Sequence, residues 1–210
     1  VFRWCYMKKS TWKTYAFWIL FTEAVGALSG WLTRTGTQIY NETIIQPPLS
    51  PPAIVFPIVW GILFALMGIG AARIYLAPTS GARSRSLLLF LIQLIFNFFW
   101  SIIFFNFQAY GFAFIWLLIL WFLILLMILS FRKVDKLAAW LQLPYLLWVT
   151  FAAYLNFGVW LLNKWMLITL LHCLDYYFGK RLEWPETVTT QRLPFFLYSL
   201  SEIVQNRWND

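Results

Sequence analysis

Long apolar stretches, separated by short polar or proline-rich segments, organise this chain. Five blocks stand out: Tyr15–Leu32, Ala53–Leu76, Leu87–Phe107, Gly111–Phe131 and Leu137–Leu162. Each holds about 18–26 residues, which at ~1.5 Å per residue crosses the ~30 Å hydrocarbon core of a bilayer. Hydrocarbon offers the backbone no water, so each block is expected to be an α-helix. Trp12, Tyr15, Trp31, Tyr75 and Tyr110 sit at block edges, where interfacial aromatic belts form. The pattern predicts an all-α membrane protein, a bundle of five transmembrane helices.

Composition sharpens this reading. The 210 residues are 61% hydrophobic and 11% charged, against about 25% charged in soluble domains. So few charges cannot coat a water-facing surface, and disorder, collagen, coiled coil and a disulfide scaffold are excluded with it. The net charge of +8 is spread between apolar blocks rather than gathered in one patch, so no nucleic-acid partner is expected.

The basic residues also suggest an orientation. Arg3, Lys8, Lys9 and Lys13, then Arg73, Arg83 and Arg85, then Arg132, Lys133 and Lys136 collect on one side. The other side has Arg34 and, between Asn106 and Tyr110, no Lys or Arg. The positive-inside rule places the N-terminus in the cytoplasm, and a multi-pass protein of a bacterial cell membrane is expected. The expected organisation is a cytoplasmic segment 1–14, a transmembrane domain 15–163 and an extension 164–210. Val1–Tyr6 precede Met7-Lys8-Lys9-Ser10, which reads as an ordinary start. The first block carries Glu23, lacks a small-residue cleavage site and is followed at once by further spans, so it reads as a retained helix.

Chemistry-bearing residues are few. Cys5 and Cys173 lie far apart without metal-type spacing, and the single histidine, His172, falls beyond the last span. No metal site and no cofactor are expected. Glu23, Gly26 and Gly30 share a helical face, which suits tight packing within the bundle, a dimer seam or a proton-linked site.

Two stripes are more informative. Gln93, Asn97 and Trp100 recur at helical spacing in the third block, and Tyr145, Trp148, Ala152 and Asn156 do so in the fifth. Amides facing lipid would be unsatisfied, so the third-block stripe must look into the bundle. Pro51 and Pro52 suit the start of the second helix, where missing N–H groups cost nothing, and Trp60 follows on its aromatic stripe. Converging aromatic and amide side chains leave two readings open: a cavity for a flat apolar ligand with a polar edge, or amides that glue helices together.

The motif Pro47-Pro48-Leu49-Ser50-Pro51-Pro52, followed by Pro57-Ile58-Val59-Trp60-Gly61, resembles the first loop and second helix of the translocator protein family, also called tryptophan-rich sensory protein or peripheral benzodiazepine receptor. Gln93 to Ser101 is similar to its third helix, and Leu143 to Trp148 with Phe151-Ala152 and Leu155-Asn156 to its fifth. The likeness spans about 15–163, with three motifs in order.

It implies a five-helix bundle, often a homodimer, with a cavity under the first loop for tetrapyrroles, sterols and drug-like ligands. It implies ligand-facing positions for Tyr40, Trp60, Asn97, Trp148 and Ala152, and Gln93, Trp100 and Tyr145, which share their stripes, are expected to bind ligand with them. Trp60 and Trp148 occupy the positions of two tryptophans tied, in bacterial relatives, to light-dependent porphyrin breakdown. Leu49 stands where many relatives carry Trp. Phe157 and Leu161 replace the Tyr and Arg of the animal sterol motif, so cholesterol binding is not carried over.

The expected partners are therefore membrane lipid, a tetrapyrrole or other planar apolar ligand, and a second copy of the chain. The leading functional reading is a binding, sensing or transport protein. A light-dependent porphyrin-degrading enzyme and a small-solute carrier are the alternatives. The stripes hold no acid–base pair, so degradation would have to run through redox at the tryptophans.

Overall fold

In a computed structural model of the chain, backbone is described for residues 2–178 and side chains for residues 11–164. The side chains of Cys5, His172 and Cys173, and residues 179–210 of the expected extension, lie outside the described residues. Of two compact units, Val1–Met166 and Leu167–Asp210, the first holds five helices long and apolar enough to cross a membrane. The helices are α1 (Phe2–Thr43), α2 (Val55–Leu76), α3 (Gly81–Ser101), α4 (Tyr110–Val134), α5 (Lys136–Trp140) and α6 (Leu143–Phe178). No strand occurs among the described residues.

α1 runs far beyond the expected Leu32, to Thr43. Its extra turns look like a polar loop in the sequence because only one face needs to be apolar or small. Thr33, Gly36 and Tyr40 form the inward stripe, while the Gln38 amide donates to the Glu42 carboxylate at 3.0 Å on the outward face. The third span closes with a π-helical segment, Ile102–Asn106, which lies against the upper part of α1. A side chain at Gly36 would collide with the Phe105 carbonyl, and the Asn106 amide donates to the Leu32 carbonyl at 3.1 Å.

The fifth span is two helices rather than one kinked at Pro144. α5 ends at Trp140, and Pro144 stands in the first turn of α6, where its missing N–H has no partner to lose. Asp135 starts α5: its carboxylate accepts from the N–H groups of Leu137 (2.8 Å) and Ala138 (3.2 Å) and pairs with Arg73 of α2 at 2.7 Å. Burial alone would raise this carboxyl. The N–H donors and the Arg73 guanidinium outweigh it and hold the group below its ordinary value. That pair ties the ends of α2 and α4 together at one end of the bundle.

α1 packs along α2 and α3 along α4. Gly26 lies under the Phe64 ring, and Gly68 lets α2 approach the α1 backbone, where the Thr22 hydroxyl donates to the Phe64 carbonyl at 2.8 Å. Gly30 has nothing within 4 Å. Along the face expected to be shared, Gly26 meets Phe64 while Gly30 is exposed, and Glu23 is half-buried. α6 closes the bundle, reaching α2 through Trp148 and Phe56, α3 through Tyr145 and Asn97, and α4 through Trp160 and Gly111. Outward positions such as Phe17, Ile58, Leu88, Ile115, Phe122 and Leu147 are exposed, as a lipid-facing surface requires.

Candidate functional site

Behind the α2–α6 seam the two amides of α3 meet one hydroxyl. The Asn97 amide donates to the Tyr145 hydroxyl at 3.0 Å, and that hydroxyl donates to the Gln93 carbonyl oxygen at 3.0 Å. Gln93 in turn points its N–H at the Met67 sulfur of α2, 3.9 Å away. All four side chains are buried. The stripe does look inward, and the amides of Gln93 and Asn97 are bonded to neighbouring helices.

The aromatic residues sort around this network. Trp60 of α2 is half-buried, with its ring edge-on to Tyr145 (6.2 Å between centroids) and tilted against Phe64 (5.6 Å). Trp148 of α6 is also half-buried and meets Phe56 edge-on at 5.9 Å. Trp100 is buried against Phe104 at 5.3 Å, and its indole nitrogen has no hydrogen-bond partner. Ala152 is buried on α6, and Tyr40 packs on Phe104 and Phe105 at the top of α1.

Two hollows flank the seam, each of about 450 Å³, within the ~300–1,000 Å³ usual for small-molecule sites. The first is lined by the end of α1, the proline-rich loop and the start of α2. Tyr40, Asn41, Gln46 and Ser50 give it polar walls, and Phe56 forms part of its apolar side. The second is an apolar groove between α2 and α6, lined by Val59, Ile62 and Leu63 on one side and by Leu147, Trp148 and Phe151 on the other. Of the expected site residues, Tyr40 lines the first hollow and Trp148 the second. Trp60, Gln93, Asn97, Trp100, Tyr145 and Ala152 line neither.

The loop lining the first hollow is strapped to α6. Asn163 grips Ile45 at both backbone groups, accepting from its N–H (3.2 Å) and donating to its carbonyl (3.0 Å). The Tyr154 hydroxyl donates to the Pro48 carbonyl at 2.9 Å, and Gly158 leaves room for the Pro47 ring. Within the loop, the Ser50 N–H returns to the Pro47 carbonyl at 3.3 Å around Leu49, whose φ of 67° lies in the left-handed region. Leu49 itself points outward and is 82% exposed.

The sequence reading did not single out Phe56 or Asn163. Phe56 had no signal beyond its place before Pro57. Asn163 entered only as the last residue of the transmembrane domain.

The family model described as TspO/MBR family matches residues 18–161. The chain belongs to the TspO/MBR family. Over 143 residues it is 38% identical to the tryptophan-rich protein TspO of Chlorobaculum tepidum, covering 67% of this chain and 89% of that protein. It is 30% identical over 149 residues to the tryptophan-rich sensory protein of Cereibacter sphaeroides, covering 71% and 92%. It is also 35% identical over 127 residues to the translocator protein of Ovis aries, covering 60% and 75%. As a TspO/MBR protein with five apolar spans, it is a multi-pass integral membrane protein.

Proposed function

We propose that this chain binds a planar, largely apolar ligand with a polar edge, of the tetrapyrrole class, and acts as a sensor or carrier for it. The observation that carries this reading is the pair of half-buried tryptophans, Trp60 and Trp148, on facing helices beside two ligand-sized hollows. An aromatic wall suits a macrocycle through stacking, and the loop hollow supplies Tyr40, Asn41, Gln46 and Ser50 for its polar edge. The same reading places the N-terminus in the cytoplasm by the distribution of Lys and Arg. It also gives a homodimer partner the open face of α1 around Gly30.

The test is a titration of the detergent-solubilised protein with protoporphyrin IX. The chain holds 14 tryptophans, so fluorescence quenching would not report one site, and the Soret band is read instead. Trp60→Phe and Trp148→Phe keep most of the apolar area, and each should weaken binding by less than about tenfold, ~1.4 kcal/mol. Unchanged affinity in both variants would make these tryptophans packing residues and overturn the assignment. Loss of the Soret band under illumination, beyond the bleaching of free porphyrin, would turn the reading towards degradation.

A further inference from the structure

One ring contact links the lining of the loop hollow to that of the α2–α6 groove. Phe56 lines the loop hollow, and its other contact is the edge-on meeting with Trp148, which lines the groove. One turn further along α2, Val59 begins the groove wall. The two spaces therefore lie end to end, with the Phe56–Trp148 contact between them.

Their chemistry is complementary. The groove is lined by apolar side chains, and two of them, Ile62 and Leu147, are more than half exposed, so it is open towards the hydrocarbon side of the bundle. The loop hollow is mixed, with Tyr40, Asn41, Gln46 and Ser50 set among apolar residues, and the loop that lines it is bonded to α6 at Asn163 and Tyr154. A ligand dissolved in the bilayer meets the open groove first. An apolar disc can lie against Trp148 and Phe151 there, but its polar edge finds donors and acceptors only past Phe56.

Phe56 is also placed to move. It lies in the first turn of α2, where Ile54 provides no side-chain cap and the chain before the helix is held by the bond from the Val55 N–H to the Pro52 carbonyl, 2.9 Å. The ring is half-buried, so one face already borders open space.

We propose that the α2–α6 groove is a membrane-side entrance to the loop hollow, and that Phe56 is the movable partition between them. The entrance rests on the ligand class proposed above. It predicts kinetics that a contact residue would not produce. Truncating a contact speeds dissociation alone, which is where most interface substitutions act, whereas removing a partition lowers the barrier in both directions.

The experiment uses the full chain in lipid nanodiscs, with protoporphyrin IX delivered from vesicles and followed by stopped-flow absorbance. In Phe56→Ala, association and dissociation rates should rise together, each by on the order of tenfold, while Kd changes much less. Phe56→Trp should slow both. Ile62→Trp, a change at a lipid-exposed position, should narrow the groove and slow association. Dissociation rising alone in Phe56→Ala, or association unmoved in Ile62→Trp, would overturn the entrance while leaving the proposed function standing. Failure of the unmodified protein to bind protoporphyrin IX would overturn the proposed function and the entrance with it.

Discussion

Replacing Tyr145 by Phe removes one oxygen from the centre of the bundle and leaves the ring in place. That oxygen accepts from Asn97 and donates to Gln93, at 3.0 Å in both cases, and no part of Tyr145 reaches the surface. The variant leaves one buried donor and one buried acceptor without partners. Leaving such a group unpaired costs ~1–3 kcal/mol, but interhelical hydrogen bonds in membranes average nearer ~0.6 kcal/mol, because the unfolded helices also find partners. For two bonds we expect a loss of roughly 1–3 kcal/mol, which lowers Tm by ~2–4 °C per kcal/mol in a chain of this size. Thermal unfolding in detergent, followed by loss of helical circular dichroism, measures it. Adding Gln93→Leu and Asn97→Leu to Tyr145→Phe removes the orphaned groups themselves and should recover part of the stability, since an apolar trio needs no partners. An unchanged Tm in Tyr145→Phe, or a triple variant less stable than the single, would refute the network as the element joining α3 to α6.

Substitutions at three further positions have outcomes set by the packing. Asp135→Asn keeps an oxygen for the Leu137 and Ala138 N–H groups but loses the partly exposed pair with Arg73, so it should cost ~0.2–1 kcal/mol, while Asp135→Ala loses the helix cap as well and should cost ~0.5–2 kcal/mol more. Because the folded carboxyl lies below its ordinary value of 3.8, its stabilisation is complete above that pH and drains as pH falls through the lower folded value. An acid-unfolding midpoint equal in the unmodified protein and Asp135→Asn would contradict this. Gly68→Ala would set a Cβ 2.6 Å from the Ile19 Cα of α1, a backbone atom that cannot swing aside, and should cost ~1–3 kcal/mol in thermal unfolding. Gly30→Ala meets open space and should be neutral or gain up to ~1 kcal/mol of helix propensity. A loss there would mean that a neighbour covers this face in the membrane.

The sequence by itself determined the five spans and the inward turn of the third-block amides, because hydrocarbon leaves an apolar segment one backbone solution and a lipid-facing amide none. It determined less wherever one helix face sufficed. The upper turns of α1 carry Arg34, Gln38 and Glu42 outward and read as a loop, because only Thr33, Gly36 and Tyr40 turn inward. The fifth block reads as one run, Leu137–Leu162, because the missing N–H of Pro144 looks the same inside a helix as in its first turn, and only the break after Trp140 tells them apart. The tertiary structure alone decided how the stripes meet. Helical periodicity gives each side chain an angle about its own axis, but not the distance to the facing helix or what fills the space between. At Tyr145 that distance is one hydrogen bond, and the amides of α3 close on the hydroxyl. At Phe56 and Trp148 it is one ring contact, with a hollow on either side.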